Sequence, residues 1–246
     1  MERTSILVVR SDDRFSSLLR ESGGEVLNLE LIRTEVLNDL GDLENAISRL
    51  AQYDGLFFTS PVAAGVFIEK IDRIGNFAGK IYVLGERTRK LFEDAGVKPT
   101  YAHGANTAED LIAGVGPNEF LGKKLLFVRG DKSMRAIPEL LNGRAVVGEI
   151  VVYTTITTPP DENVRASVMK RLDDGEIGWI CFFSPSGVEA FAEIFAESDL
   201  NHCKVAAIGK TTAHKAAEFG FNVEFVSPHA RNEDFAKGLL DLIEEH

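Results

Sequence analysis

Phe58-Thr59-Ser60-Pro61 returns later in the chain as Phe182-Phe183-Ser184-Pro185, and the match runs on without a gap, Phe58–Asp110 falling on Phe182–Asp234 at an offset of 124 residues. Phe58, Ser60, Pro61, Phe67, Glu69, Lys80, Gly85, Thr88, Gly96, Glu109 and Asp110 all meet identical residues. Eleven identities over this span compare with roughly three expected by chance, so the chain contains an internal repeat. A second pair aligns at an offset of 119, with Ile6–Arg10 on Leu125–Arg129 and Asp12, Gly24 and Glu30 on Asp131, Gly143 and Glu149. The chain therefore reads as A (about 6–36), B (about 54–113), A′ (about 125–155) and B′ (about 178–243).

Within these repeats, Ile6–Val9, Gly55–Phe58, Ile81–Leu84, Leu125–Val128, Ile180–Phe183 and Val205–Ile208 are short apolar runs, each followed by a turn and a helical pattern. Alternation of this kind predicts parallel strands covered by helices. Each A unit reads as strand–helix–strand, and each B unit adds about three strands with helices. One A plus one B gives a doubly wound α/β domain of five strands. The fold class is thus α/β, with two similar flavodoxin-like parallel-sheet domains. The order of the repeats leaves open whether A pairs with B or with B′.

Composition narrows the function classes. The chain has 246 residues and 27.0 kDa, with 44% apolar and 26% charged residues, an ordinary globular balance. No apolar run approaches the ~18 residues of a membrane span, and Met1-Glu2-Arg3-Thr4-Ser5 lacks a signal-peptide layout. Two cysteines, Cys181 and Cys203, are too few for a disulfide scaffold. A cytoplasmic protein is expected, with no membrane partner. A formal net charge of −11 argues against nucleic-acid binding, which rests on phosphate neutralisation. A locally basic cleft for a small anion remains compatible with it.

Three repeated features could carry chemistry. Ser60-Pro61 and Ser184-Pro185-Ser186 follow buried strands, where a hydroxyl at the N-cap and proline at N1 start a helix. Those points lie at the carboxyl ends of the strands, where open α/β sheets bind ligands and helix N–H groups favour anions. Leu84-Gly85-Glu86-Arg87-Thr88 and Ile208-Gly209-Lys210-Thr211-Thr212 repeat the arrangement with glycine at the turn. Gly-Lys-Thr-Thr is not a phosphate loop, because the first glycine of that motif would fall at position 204, which is lysine. Capping alone is the plain alternative for both features. Arg10 and Arg129 each end a strand and could clamp a carboxylate with two parallel hydrogen bonds; the alternative is an ion pair with the repeated Asp12 or Asp131. His103, His202, His214, His229 and His246 show no metal-ligand spacing, so no metal is expected.

Phe58-Thr59-Ser60-Pro61, Val128-Arg129-Gly130, Val152-Tyr153-Thr154, Phe183-Ser184-Pro185-Ser186-Gly187-Val188 and Ala206-Ala207-Ile208-Gly209-Lys210-Thr211-Thr212-Ala213 stand in an order and spacing that resembles the uroporphyrinogen-III synthases. The resemblance covers essentially the whole chain. It implies a discontinuous first domain, residues 1–35 and 156–246, and an inserted second domain, residues 36–155. It also implies two extended connections crossing near Leu29–Val36 and Ile150–Thr158, and a substrate cleft between domains that closes over its ligand.

The activity so implied is that of a monomeric lyase without cofactor. It cyclises hydroxymethylbilane to uroporphyrinogen III, with loss of water and inversion of the terminal pyrrole ring. The linear substrate also closes spontaneously to the uninverted isomer, so the enzyme must hold it where attack at the substituted carbon is faster. By the resemblance, Tyr153 matches the tyrosine that assists departure of the hydroxyl as a general acid. Ser60, Thr88, Ser184, Ser186, Lys204, Thr211 and Thr212 match cleft positions suited to binding the acetate and propionate groups. Arg10 and Arg129 are added as carboxylate clamps. Lys210 departs from the non-basic residue many relatives carry there. The rival expectation is a non-catalytic two-domain protein that closes around a small anion.

Overall fold

The computed structural model describes residues 5–71, 74–105, 107–133 and 135–244. The chain divides into two compact units, Met1–Arg33 with Ile156–His246 (unit 1) and Thr34–Thr155 (unit 2). It begins with β1 (Ser5–Val9), α1 (Arg14–Glu21) and β2 (Val26–Asn28). There follow β3 (Ile32–Val36), α2 (Gly41–Ser48), β4 (Gly55–Phe58), α3 (Pro61–Lys70), β5 (Lys80–Val83), α4 (Glu86–Asp94) and α5 (Ala108–Val115). Then come β6 (Lys124–Gly130), α6 (Ala136–Leu140) and β7 (Val146–Thr157). The last stretch is α7 (Glu162–Asp173), β8 (Ile177–Phe182), α8 (Pro185–Ile194), β9 (Lys204–Ala207), α9 (Lys210–Glu218), β10 (Val223–Val226) and α10 (Asn232–Glu244). The boundaries between units fall inside β3 and β7. The extended connections implied by the resemblance are strand over Ile32–Val36 and through Thr157, and β3 and β7 are neighbours in one sheet.

Unit 1 holds one sheet in the order β2-β1-β8-β9-β10, with every neighbouring pair parallel. This is a doubly wound order, and it joins A to B′. Unit 2 has the order β3-β7-β6-β4-β5, with parallel pairing from β7 through β5. The A′ strands β6 and β7 stand beside β4 and β5 as β1 and β2 stand beside β8 and β9. The repeat is faithful in its elements: α3 and α8, β5 and β9, and α4 and α9 have the same lengths and aligned bounds.

One expected strand is reduced. The third strand of B survives only as an isolated parallel bridge between Tyr82 and Thr100. Pro99 stands where β10 begins with Val223. Proline has no N–H for a ladder, so pairing there shrinks to Thr100 N→Ile81 O (2.7 Å) and Val83 N→Thr100 O (3.0 Å).

Both sheets are covered on two faces. In unit 1, Leu172, Val188, Phe191 and Ala216 pack on one face, and Phe15, Leu19, Phe235 and Leu239 on the other. In unit 2, Leu43, Phe67 and Phe92 oppose Leu111, Ile112, Phe120 and Ile137. Each fully buried Val, Leu, Ile or Phe side chain contributes about 1.5–3 kcal/mol of transfer free energy. Cys181 and Cys203 are buried free thiols of unit 1. Burial raises both pKa values, that of Cys203 to about 11 with help from Asp199, so neither is a reactive thiolate near neutrality. Among the described residues no helix is long and apolar enough to cross a membrane.

Candidate active site

Winding reverses between β1 and β8 in unit 1, and between β6 and β4 in unit 2, because the chain leaves each pair in opposite directions along the sheet. The carboxyl ends of such strand pairs form the crevice where doubly wound sheets take ligands. Arg10 and Ser184 flank this point in unit 1, and Arg129 and Ser60 flank it in unit 2.

In unit 1 the Arg10 guanidinium lies 4.3 Å from the centre of the Phe183 ring, a favourable cation–π placement. Its Nη2 is 2.9 Å from Asp13 Oδ2, and its Nη1 is 3.4 Å from Asn232 Oδ1. Asp13 also accepts from Asn232 Nδ2 at 3.0 Å and caps α1 by accepting from Phe15 N at 3.0 Å. The ion-pair alternative for Arg10 is thereby corrected from Asp12 to Asp13. Asp12 instead pairs with Arg20 at 2.8 Å.

Ser184 Oγ accepts from Gly187 N at 3.1 Å and lies 3.2 Å from Ser186 Oγ. The start of α9 is different. Gly209 provides no side-chain cap, so the N–H groups of its first turn stay open to an anion. Thr211 is half-buried, Thr212 buried and Lys210 exposed in that turn. Lys204 does not share this edge. It opens β9, so it sits at the amino end of the strand, about 10 Å of strand rise from Ala207, with its Nζ 5.5 Å from the Trp179 ring centre. The expectation that grouped it with Thr211 and Thr212 is corrected on that ground.

In unit 2, Ser60 Oγ caps α3 by accepting from Val62 N at 3.2 Å. Gly85 turns the chain into α4 at φ 86°, a left-handed backbone suited to glycine, again without a side-chain cap. Thr88 is buried in that first turn. Arg129 is engaged by its own loop. Its Nη1 donates to the carbonyls of Gly130 (3.0 Å), Asp131 (3.2 Å) and Ser133 (3.0 Å), and its Nε lies 3.1 Å from Glu149 Oε1. This corrects both earlier readings of Arg129: its acid is Glu149, not Asp131, and its geometry is that of a loop brace. Asp131 accepts from Thr154 Oγ1 (2.5 Å), Thr155 N (2.9 Å) and Lys132 N (2.7 Å). Burial raises the Asp131 pKa, but these hydrogen bonds outweigh it and leave the group below its usual range.

Tyr153 stands on β7 opposite Gly130, the last residue of β6. Its ring is buried, and its hydroxyl has no hydrogen-bond partner among the described residues. The oxygen is nevertheless not among the sealed, unpartnered polar atoms. A phenol so placed can donate a proton to a ligand. Each unit thus gathers its own residues at a carboxyl sheet edge: Arg10, Ser184, Ser186, Thr211 and Thr212 in unit 1, and Ser60, Thr88, Arg129 and Tyr153 in unit 2. Sequence reasoning missed Asp13, Asn232 and Glu149. Asp13 carried the signal of an N-cap two residues ahead of Phe15; Asn232, far away in the chain, carried none.

Comparison with known proteins places the chain as a whole. Residues 13–237 match the family described as uroporphyrinogen-III synthase HemD. The uroporphyrinogen-III synthase of Chlorobaculum parvum is 29% identical over 204 residues, covering 79% of this chain and 81% of that protein. Among solved structures, a mutant uroporphyrinogen III synthase of Thermus thermophilus superposes with a TM-score of 0.69 at 18% identity, covering 98% of this chain and 100% of the other. The Helicobacter pylori enzyme gives 0.64 at 18% identity, over 97% and 99%; at these identities the two structures speak to fold. With most of its length matched, the chain belongs to the uroporphyrinogen-III synthase family, enzymes of tetrapyrrole biosynthesis in the lyase class.

Proposed function

We propose that the chain converts hydroxymethylbilane to uroporphyrinogen III by holding it in a folded geometry, with Tyr153 donating the proton that lets the terminal hydroxyl leave as water. Loss of that hydroxyl gives a cationic azafulvene, which the substituted carbon of the last ring attacks. The bond from that carbon to its original bridging methylene then breaks, and the methylene rejoins the ring at its free α-carbon with loss of a proton, which inverts the ring and closes the macrocycle. The uncapped first turns of α4 and α9, with Thr88, Thr211 and Thr212, receive substrate carboxylates through N–H and O–H donors. Ser60, Ser184 and Ser186 add hydroxyls, and Arg10 adds charge from its seat on Phe183. Arg129 acts through the loop it braces. The chain works as a cytoplasmic monomer in this reading, and light scattering of the purified protein tests the monomer.

The observation that carries the reading is the Tyr153 phenol: a buried ring whose hydroxyl lacks a protein partner among the described residues. The decisive assay supplies freshly generated hydroxymethylbilane, oxidises the products and separates isomers I and III. Isomer III should predominate over the no-enzyme control. Tyr153→Phe should lower kcat about 10²-fold, with the melting temperature kept. Isomer I at the spontaneous rate from a folded wild-type protein would sink the synthase reading, and full turnover in Tyr153→Phe would remove the donor.

A further inference from the structure

We infer that Gly130 and Asp131 are positioning residues for Tyr153, the glycine making room for the phenol end of the ring and the aspartate holding β7 from the Tyr153 carbonyl to Thr155. The inference rests on the reading of Tyr153 as proton donor. A Cβ at position 130 would lie 2.3 Å from Tyr153 Cζ, 2.4 Å from Cε2 and 2.7 Å from the hydroxyl oxygen. No real side chain tolerates such contacts, so any residue other than glycine displaces the reacting end of the tyrosine. The backbone itself does not demand glycine here, since position 130 is not among the residues at positive φ. Only the ring does.

Asp131 fixes the same stretch from the next position. Its N–H donates to Tyr153 O at 3.0 Å, while its carboxylate accepts from Thr154 Oγ1 and Thr155 N. The register of β6 against β7 shifts between Arg129 and Gly130, and this shift brings Gly130 opposite Tyr153. The turn beyond is braced from within. Gly130 N donates to Ser133 Oγ at 3.1 Å, and Arg129 ties three of its carbonyls. A general acid must sit within hydrogen-bond reach of its proton acceptor. An ångström of displacement can cost about 10²-fold in rate.

The test is a double-variant cycle in the full-length protein, assayed on hydroxymethylbilane with isomers I and III resolved. Gly130→Ala should lower kcat by about 10²-fold with little change in KM. Added to Tyr153→Phe, it should change kcat by less than about threefold, because coupled residues are not additive. Asp131→Ala should cost about tenfold in kcat, because the stretch of β7 that carries Tyr153 loses its hydrogen bonds from Thr154 and Thr155. A wild-type kcat in Gly130→Ala overturns the inference, and so does a full-sized loss that persists on top of Tyr153→Phe. An unchanged kcat in Asp131→Ala overturns the part assigned to the aspartate. Wild-type turnover in Tyr153→Phe alone is a separate failure, that of the donor reading. Stability gives a second readout if Gly130→Ala folds poorly. Its loss of melting temperature should vanish in a Tyr153→Leu background, which lacks the clashing ring; an equal loss in both backgrounds overturns the inference.

Discussion

Arg129 and Arg10 end equivalent strands, yet they face different surroundings. The Arg129 side chain is 11% exposed and bonded to three loop carbonyls, with Glu149 beside it. Arg10 pairs with Asp13 and lies on an aromatic face, but at 28% it is the more exposed of the two and so the better placed to reach a ligand carboxylate. Arg129→Glu would set a carboxylate against Glu149 and release the loop, at a cost of about 3 kcal/mol, as for other broken buried pairs. Thermal melting followed by circular dichroism should show that loss. A variant that melts like the wild type and only raises KM would return Arg129 to the role of clamp. The sequence made both arginines legible as strand-end residues because they follow apolar runs. It could not tell them apart, since Glu149 and Asn232 reach them from other segments. Lys204 was misplaced for a different reason: it precedes the run Val205–Ile208, and that order already put it at the amino end of the strand.

At the scale of elements, the helix starts divide into two kinds. Helices α3 and α8 are capped by Ser60 and Ser184, while α4 and α9 begin on glycine without a cap. The Ser-Pro and Gly-x-x-Thr patterns showed where these helices begin. Which hydroxyls are turned to backbone N–H groups had to come from the structure. Ser184→Ala should therefore cost about 1 kcal/mol of stability, measurable in urea. If stability is unchanged and KM rises, the hydroxyl serves substrate rather than α8. At the opposite edge of unit 2, Glu119 ties β5 to the turn before β6, accepting from Lys80 Nζ (2.9 Å), Lys123 Nζ (2.5 Å) and the Tyr82 hydroxyl (3.2 Å). The hydrogen bond from Lys123, then that from Lys80, holds its carboxyl at about 2, against an ordinary value of 4.5. A folded-state pKa below the unfolded one contributes stability above pH 4.5, and that contribution is lost as pH falls toward 2. Glu119→Gln should thus lower the urea midpoint at pH 7 by the equivalent of about 1 kcal/mol, with the gap to wild type closing between pH 4.5 and 2. A gap that stays constant through that window would show that the charge on Glu119 is not its source.

Over the whole molecule, the same spatial layout is threaded in two chain orders. Unit 1 uses A and then B′, bringing β1 beside β8 across most of the sequence, whereas unit 2 uses B and then A′ in one continuous stretch. A repeat at 124 and 119 residues made the doubled α/β fold legible. The pairing of A with B′ was open to the sequence alone, because either pairing satisfies the same apolar pattern. The two orders carry different consequences for folding. Unit 2 contains in one stretch its central strands, helices on both faces of its sheet and the aromatic cluster of Phe57, Tyr82 and Phe120. Unit 1 cannot form its central β1–β8 pair until the far end of the chain is present, and closing so long a loop costs entropy that local contacts do not offset. Residues 34–155 expressed alone should therefore fold, giving a cooperative urea transition with a slope of about 1–3 kcal/mol/M and near-ultraviolet circular dichroism from the packed aromatics. Residues 156–246 alone, without β1 and β2, should lack such a transition. If 34–155 shows no cooperative unfolding while 156–246 does, folding autonomy does not follow chain continuity here.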